Sequence, residues 1–289
     1  PYFYKYISKQ EENNMLEKLQ EILGNDFEIK EVTTKKNNYI AHEISIRKKG
    51  ESIAPIFDSE VFKDDPEEIA KTYFKIMSKN NGIDIYAEKF HDPGWMREHM
   101  YLRVTSDAKY AEEYLHRKIE DLYLIPYVRF NDYTTNVKSV YAEMANITEE
   151  EIFSTAMKNM DKECTLYSID DMVFCTMLGT NISGLPNYME EEVENIVPML
   201  TVTNVLAMLG AASVFCERVQ KRLDEIFSEG YYLIPSSIHE FLAVDKKIAA
   251  PETLKEFISE MNMNKVEAKD RLSDAAYYFE DGVFRKTIL

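Results

Sequence analysis

Residues 230–245, GYYLIPSSIHEFLAVD, hold two apolar runs parted by a short polar segment. Residues 231–234 and 238–244 read as strands, with Ser236 and Ser237 as the turn after Pro235. Strands joined by so short a connection pair antiparallel, because a parallel pair needs a crossover of a dozen residues or more. The same segment concentrates hydroxyls, an imidazole and a carboxylate, so it frames fold and function together.

Outward from this hairpin the pattern recurs. Residues 27–34, 39–47 and 52–57 read as a meander broken by Lys36-Asn37-Asn38 and Lys49-Gly50-Glu51. Further strands are expected at 122–130, 137–143, 199–203, 275–280 and 283–288. Helices announce themselves by their caps. Met15, Leu16, Leu19, Ile22 and Leu23 share a face ahead of Gly24. Asp65-Pro66-Glu67-Glu68 and Thr148-Glu149-Glu150-Glu151 are start signals, and further helices are expected from about Ala211 and from Pro251. The class is therefore α+β, mostly antiparallel sheets with packed helices. Residues 11–79 and 211–263 both read as helix, strand pair, helix, which suggests two similar α/β halves without establishing duplication. Polar turn residues at 131–146 place a boundary between an N-terminal α+β domain, 1–135, and a C-terminal one, 136–289, that carries the PSSIHE turn. Residues 180–194 read as an exposed loop.

Composition excludes several classes. With 51 acidic and 34 basic side chains the net charge is -17, a field that repels phosphate backbones and anionic lipid surfaces. No nucleic acid bound by charge attraction and no membrane is expected as a partner. No apolar run approaches the ~20 residues of a spanning helix. The first residues carry no secretory signal, so a cytoplasmic protein is expected. Cys164, Cys175 and Cys216 form no CxxC pair and read as buried reduced thiols. No cofactor is expected: GxGxxG and GxxxxGK[ST] are both missing. Residues 204–210 could offer backbone donors to an anion, a weak signal with one glycine.

IRKKGESIAP, VTNVLAMLGAA, YYLIPSSIHEFLAV and RLSDAAYYFEDG resemble landmarks of a bacterial family common in anaerobic Firmicutes, domain of unknown function 5688. The likeness spans essentially the whole chain and is most specific in the last ninety or so residues. It implies Thr203, Asn204, Gly210, Ser236, Ser237, His239, Glu240, Ser273 and Asp274 as positions of interest, and supplies no reaction. TEEEIFSTAMKNM resembles a second uncharacterised bacterial family. Residues 138–146 look shorter than the first family's usual strand and turn.

Two readings of the hairpin compete. In the catalytic one Ser236 or Ser237 is a nucleophile, His239 its base, and Glu240 or Asp274 the orienting acid. Yet a serine two residues from its base on a strand sits ~6–7 Å away, too far for direct proton transfer. In the structural reading these groups finish the turn by bonding to backbone. His91-Asp92-Pro93-Gly94-Trp95, with Glu98 and His99, matches no metal-ligand frame and reads as a turn, and His42-Glu43 meets the same objection. No metal is expected. The favoured function is a non-enzymatic module that binds another protein, with Thr203, Asn204, Ser236, Ser237, His239, Glu240, Ser273 and Asp274 at its binding rim. The alternatives are a hydrolase or transferase using His239 with Glu240, Asp274 or Ser237, and an acidic mimic of nucleic acid.

Overall fold

The computed structural model describes residues 9–51, 54–58, 62, 65–79, 88–130, 133–180, 182–191, 198–248 and 250–287. The chain divides into two compact units, residues 1–90 and 91–289.

In the first unit, α1 (Lys9–Leu23) precedes β1 (Phe27–Lys36), β2 (Tyr39–Lys48), β3 (Ile56–Asp58) and α2 (Pro66–Lys79). The strands form an antiparallel sheet in that order. Asn37 and Asn38 alone connect β1 to β2, and Asn38 takes φ 62°, a left-handed angle that asparagine tolerates. Gly24 ends α1 at φ 85°, and Asp65 Oδ1 caps α2 by accepting from the amides of Glu67 (3.0 Å) and Glu68 (3.2 Å). Leu19, Ile46, Ile69 and Tyr73 fill the core between sheet and helices. Glu43, buried in β2, accepts from Thr34 Oγ1 and pairs with Lys36 Nζ at 3.1 Å, whereas its neighbour His42 is exposed.

The second unit carries two antiparallel sheets. In one, β6 (Leu122–Phe130) pairs with β4 (Met100–Thr105), β5 (Arg117–Ile119) and β7 (Tyr133–Asn136). The other has six strands in the order β13-β12-β10-β11-β9-β8. These are β8 (Cys164–Ser168), β9 (Met199–Asn204), β10 (Tyr231–Ser237), β11 (Glu240–Asp245), β12 (Tyr277–Glu280) and β13 (Val283–Lys286). The α-helices described in this unit are α3 (Pro93–His99), α4 (Ala108–Ala111), α5 (Ser139–Ala145), α6 (Glu149–Glu163), α7 (Ile169–Leu178), α8 (Glu217–Ile226) and α9 (Pro251–Asn264). Thr148 caps α6 as expected, and Ile152, Phe153, Ala156 and Met160 are its buried face. Leu254 and Ile258 of α9 pack on Ile234, Leu242 and Val244. The α+β class with antiparallel sheets stands as read.

Several elements differ from expectation. Residues 137–143, read as a strand, lie largely in helix α5, which buries Ala142 and Ala145 and ends at Asn146 with φ 52°. Helix-favouring Ala, Glu and Met outweigh the apparent alternation there. The helix expected from Ala211 begins as a buried 3-10 segment, Gly210–Phe215, before α8. Asp92-Pro93-Gly94 opens a helix rather than a turn: Asp92 Oδ1 caps the amides of Gly94 (2.9 Å) and Trp95 (3.1 Å), and Pro93 takes the first position. Residues 52 and 53 of one expected strand, and residue 288 of another, lie outside the described residues. Residues 133–146, within the stretch read as a boundary, carry β7 and α5 inside the second unit. Among the described residues, no helix is long and apolar enough to cross a membrane.

Candidate functional site

The turn of the β10–β11 hairpin is Ile238-His239, not Ser236-Ser237. Both serines remain on β10, whose register skips between Pro235 and Ser237 and leaves Ser236 in a bulge. Ser237 Oγ accepts from the His239 amide at 3.0 Å and donates to Glu240 Oε1 at 3.0 Å. Thr203 Oγ1, from neighbouring β9, donates to His239 O at 2.8 Å. Asp270 O accepts from the Ile238 amide at 2.8 Å.

The imidazole is held as firmly as the backbone. His239 Nδ1 accepts from the Leu209 amide at 3.1 Å, so the neutral ring carries its proton on Nε2. Nε2 lies 3.7 Å from Asp270 Oδ1, beyond hydrogen-bond length. A general base needs a free nitrogen lone pair aimed at the nucleophile's hydroxyl. Here that lone pair is taken by a peptide N–H, and the Ser237 proton points to Glu240. The groups finish main chain.

The chain they finish is the loop after β9. Its five amides, residues 205–209, all have acceptors: Val205 N–H on Glu163 O (3.0 Å), Leu206 and Met208 N–H on Asn204 Oδ1 (3.0 and 3.3 Å), Ala207 N–H on Asn204 O (2.9 Å) and Leu209 N–H on His239 Nδ1. Asn204 Nδ2 returns a bond to Met208 O at 2.9 Å. The loop donors that could have been offered to an anion are thus consumed within the fold. Ala207 (φ 47°) and Leu209 (φ 54°) sit in the left-handed region, which costs side chains with a Cβ about 1–2 kcal/mol each. Gly210 follows where only glycine fits, because a Cβ would lie 2.5 Å from Thr203 Oγ1 and 2.9 Å from His239 O. Held in this way, the loop leaves Val205, Leu206 and Met208 between 43% and 49% exposed.

Thr203, Asn204, Ser237, His239 and Glu240 therefore converge, whereas Ser273 and Asp274 belong to a second cluster. Asp274 Oδ1 accepts from Asn262 Nδ2 at 2.7 Å, and Ser273 Oγ donates to Asp121 Oδ2 at 3.1 Å. Asp121 also receives Tyr277 OH (2.6 Å) and Lys286 Nζ (2.7 Å), tying the β5–β6 turn to the β12–β13 hairpin. Burial pushes the Asp121 carboxyl up, but the bonds from Lys286 and Tyr277 outweigh it and hold the group below its usual value. Burial and the Asp121 bond push the Tyr277 hydroxyl far up. Asp121, Asp270 and Lys286 are not singled out by the sequence. They meet partners distant along the chain, and no local motif announces them. His99 stacks on Trp95 with ring centroids 4.4 Å apart, and Asp92 is spent as a cap. Among the described residues, no three His, Cys, Asp or Glu side chains are grouped to hold a metal ion.

Fold and site together define an α+β chain whose polar cluster braces a hairpin and a displayed loop. Residues 10–281 match the model of a family of unknown function, DUF5688, and the chain belongs to that family. No curated protein and no solved structure matches it.

Proposed function

We propose that the chain is a protein-binding module whose contact surface is the braced loop 205–209. One observation carries the reading: every amide of that loop is hydrogen-bonded, two of its residues are strained, and three of its apolar side chains face solvent. Strain at two non-glycine positions is worth holding where a surface must keep one shape. A loop ordered in advance forfeits little entropy when a partner docks, and apolar side chains in a polar rim suit the centre of a protein interface. Thr203, Asn204, Ser237, His239 and Glu240 serve as the brace rather than as contacts. A protein fits better than nucleic acid, because the chain carries a net charge of -17.

The test compares partners recovered by the wild-type protein with those recovered by Leu206→Asp and Met208→Asp variants. The reading expects a partner lost from both variants, with melting temperatures unchanged because these side chains are half-exposed. Identical recovery by all three proteins would remove the loop from consideration.

A further inference from the structure

Of the five amides in loop 205–209, four bond carbonyl oxygens, which remain acceptors at any ordinary pH. The fifth, that of Leu209, bonds a ring nitrogen that can take up a proton, His239 Nδ1 at 3.1 Å. Leu209 is 8% exposed and holds a left-handed φ of 54°. The imidazole reaches water: its side chain is 31% exposed, and that of Asp270, whose Oδ1 lies 3.7 Å from Nε2, is 20% exposed. Other charged groups around the ring are engaged. Glu240, next in the turn, accepts from Ser237 through Oε1. Lys269 and Arg271 flank Asp270; the first pairs with Glu267 at 2.8 Å, and the second donates Nε to Val266 O at 3.0 Å. Tyr231, Tyr232 and Asp245 lie at the far end of the hairpin. β9, the loop itself and the 3-10 segment Gly210–Phe215 contribute no titratable side chain.

We propose that His239 is a proton switch on the loop, a brace when neutral and a release when charged. One proton from water adds to Nδ1, and both ring nitrogens are then donors. The Nδ1–H faces the Leu209 N–H, donor against donor, so that bond is lost and a buried amide is left without its acceptor. On the other side of the ring, the charged Nε2–H is attracted to the Asp270 carboxylate. The sign follows directly: the brace is present while the ring is neutral and disappears as pH falls through the ring's titration. Imidazole is the side chain that ordinarily changes charge between about pH 5 and 8. The effect is local. Val205 stays tied to Glu163 O and Gly210 stays wedged against Thr203, whereas the left-handed angle at Leu209 loses the bond that helps hold it.

An effect on partner binding rests on the function proposed above; the switch itself does not. The experiment titrates the 15N-labelled protein from about pH 8 to about pH 5 by NMR. It reads the His239 ring nitrogens and the exchange of the Leu209 amide, each rate divided by that of an unstructured chain at the same pH. The expected result is a proton on Nε2 at the alkaline end, and a Leu209 protection that falls about 10–100-fold in step with charging of the ring. Amides of α6 keep their protection. In His239→Asn, whose side-chain oxygen accepts but takes up no proton in this range, Leu209 protection should not change with pH. Constant protection while the ring charges would overturn the proposal. So would a ring that stays neutral, a proton on Nδ1 at the alkaline end, or an equal fall in His239→Asn. Should that variant fail to fold, ring and amide read in one wild-type sample still decide the matter. An intact switch with equal partner recovery at both ends of the titration would count against the loop as the contact and leave the switch standing.

Discussion

Replacing Gly210 by alanine sets a methyl group 2.5 Å from Thr203 Oγ1, 2.7 Å from Asn204 N and 2.9 Å from His239 O. Two of those atoms are backbone in adjoining β-structure and cannot swing aside. The crowding costs about 1–3 kcal/mol as overpacking. Driving Thr203 Oγ1 away from His239 O strands a carbonyl, for about 1–3 kcal/mol more. Against this, alanine gains about 0.5–1 kcal/mol over glycine from chain entropy. The balance is a loss of about 3 kcal/mol, which for a unit of this size lowers the melting temperature by about 6–12 °C. Urea unfolding followed by Trp95 fluorescence reads it directly, since Trp95 is the sole tryptophan and lies in the second unit. A change smaller than about 1 kcal/mol, or a gain, would refute the reasoning that Gly210 is fixed by close approach.

Three further outcomes are expected. Asp121→Asn should cost about 1–2 kcal/mol at neutral pH, a figure discounted because the carboxylate is 38% exposed. The folded carboxyl sits below its usual value, so its contribution is present above pH 3.8 and fades as pH falls through the folded value; wild type and variant should converge in acid. Asp92→Ala should lose about 1 kcal/mol in urea titration through loss of the α3 cap. Arg129 Nη2 donates to both Glu163 oxygens (2.7 and 2.8 Å), and its guanidinium lies 3.9 Å over the Tyr101 ring. Arg129→Lys keeps the charge but loses the stacked planar group, so a loss of about 1–3 kcal/mol is expected, with non-additivity towards Glu163→Gln in a double-mutant cycle.

What the residues disclosed depended on range. Asp65, Thr148 and the Asn37-Asn38 turn act on neighbours within three positions, so capping and hairpin chemistry could be read directly. The hairpin at 230–245 was legible for the same reason, although its turn shifted by two residues because Ser237 bonds forward to His239 and Glu240. Residues 137–143 misled because a short apolar stretch fits either period, and burial of Ala142 and Ala145 decided it. His239 Nε2 faces Asp270 Oδ1 at 3.7 Å and Ser273 Oγ bonds to Asp121, pairings made by tertiary packing. Nor could one chain reveal that the residue-204 loop would spend every amide internally while leaving its apolar side chains outside.

Amide hydrogen exchange at Leu209, in the wild-type protein and in His239→Ala, tests the bracing role most directly. The bond to Nδ1 predicts a protected Leu209 amide that exchanges about 10–100-fold faster in the variant, the equivalent of about 1–3 kcal/mol, with α6 amides unaffected. Equal Leu209 rates in the two proteins would contradict the account, because the imidazole would then be free for other work.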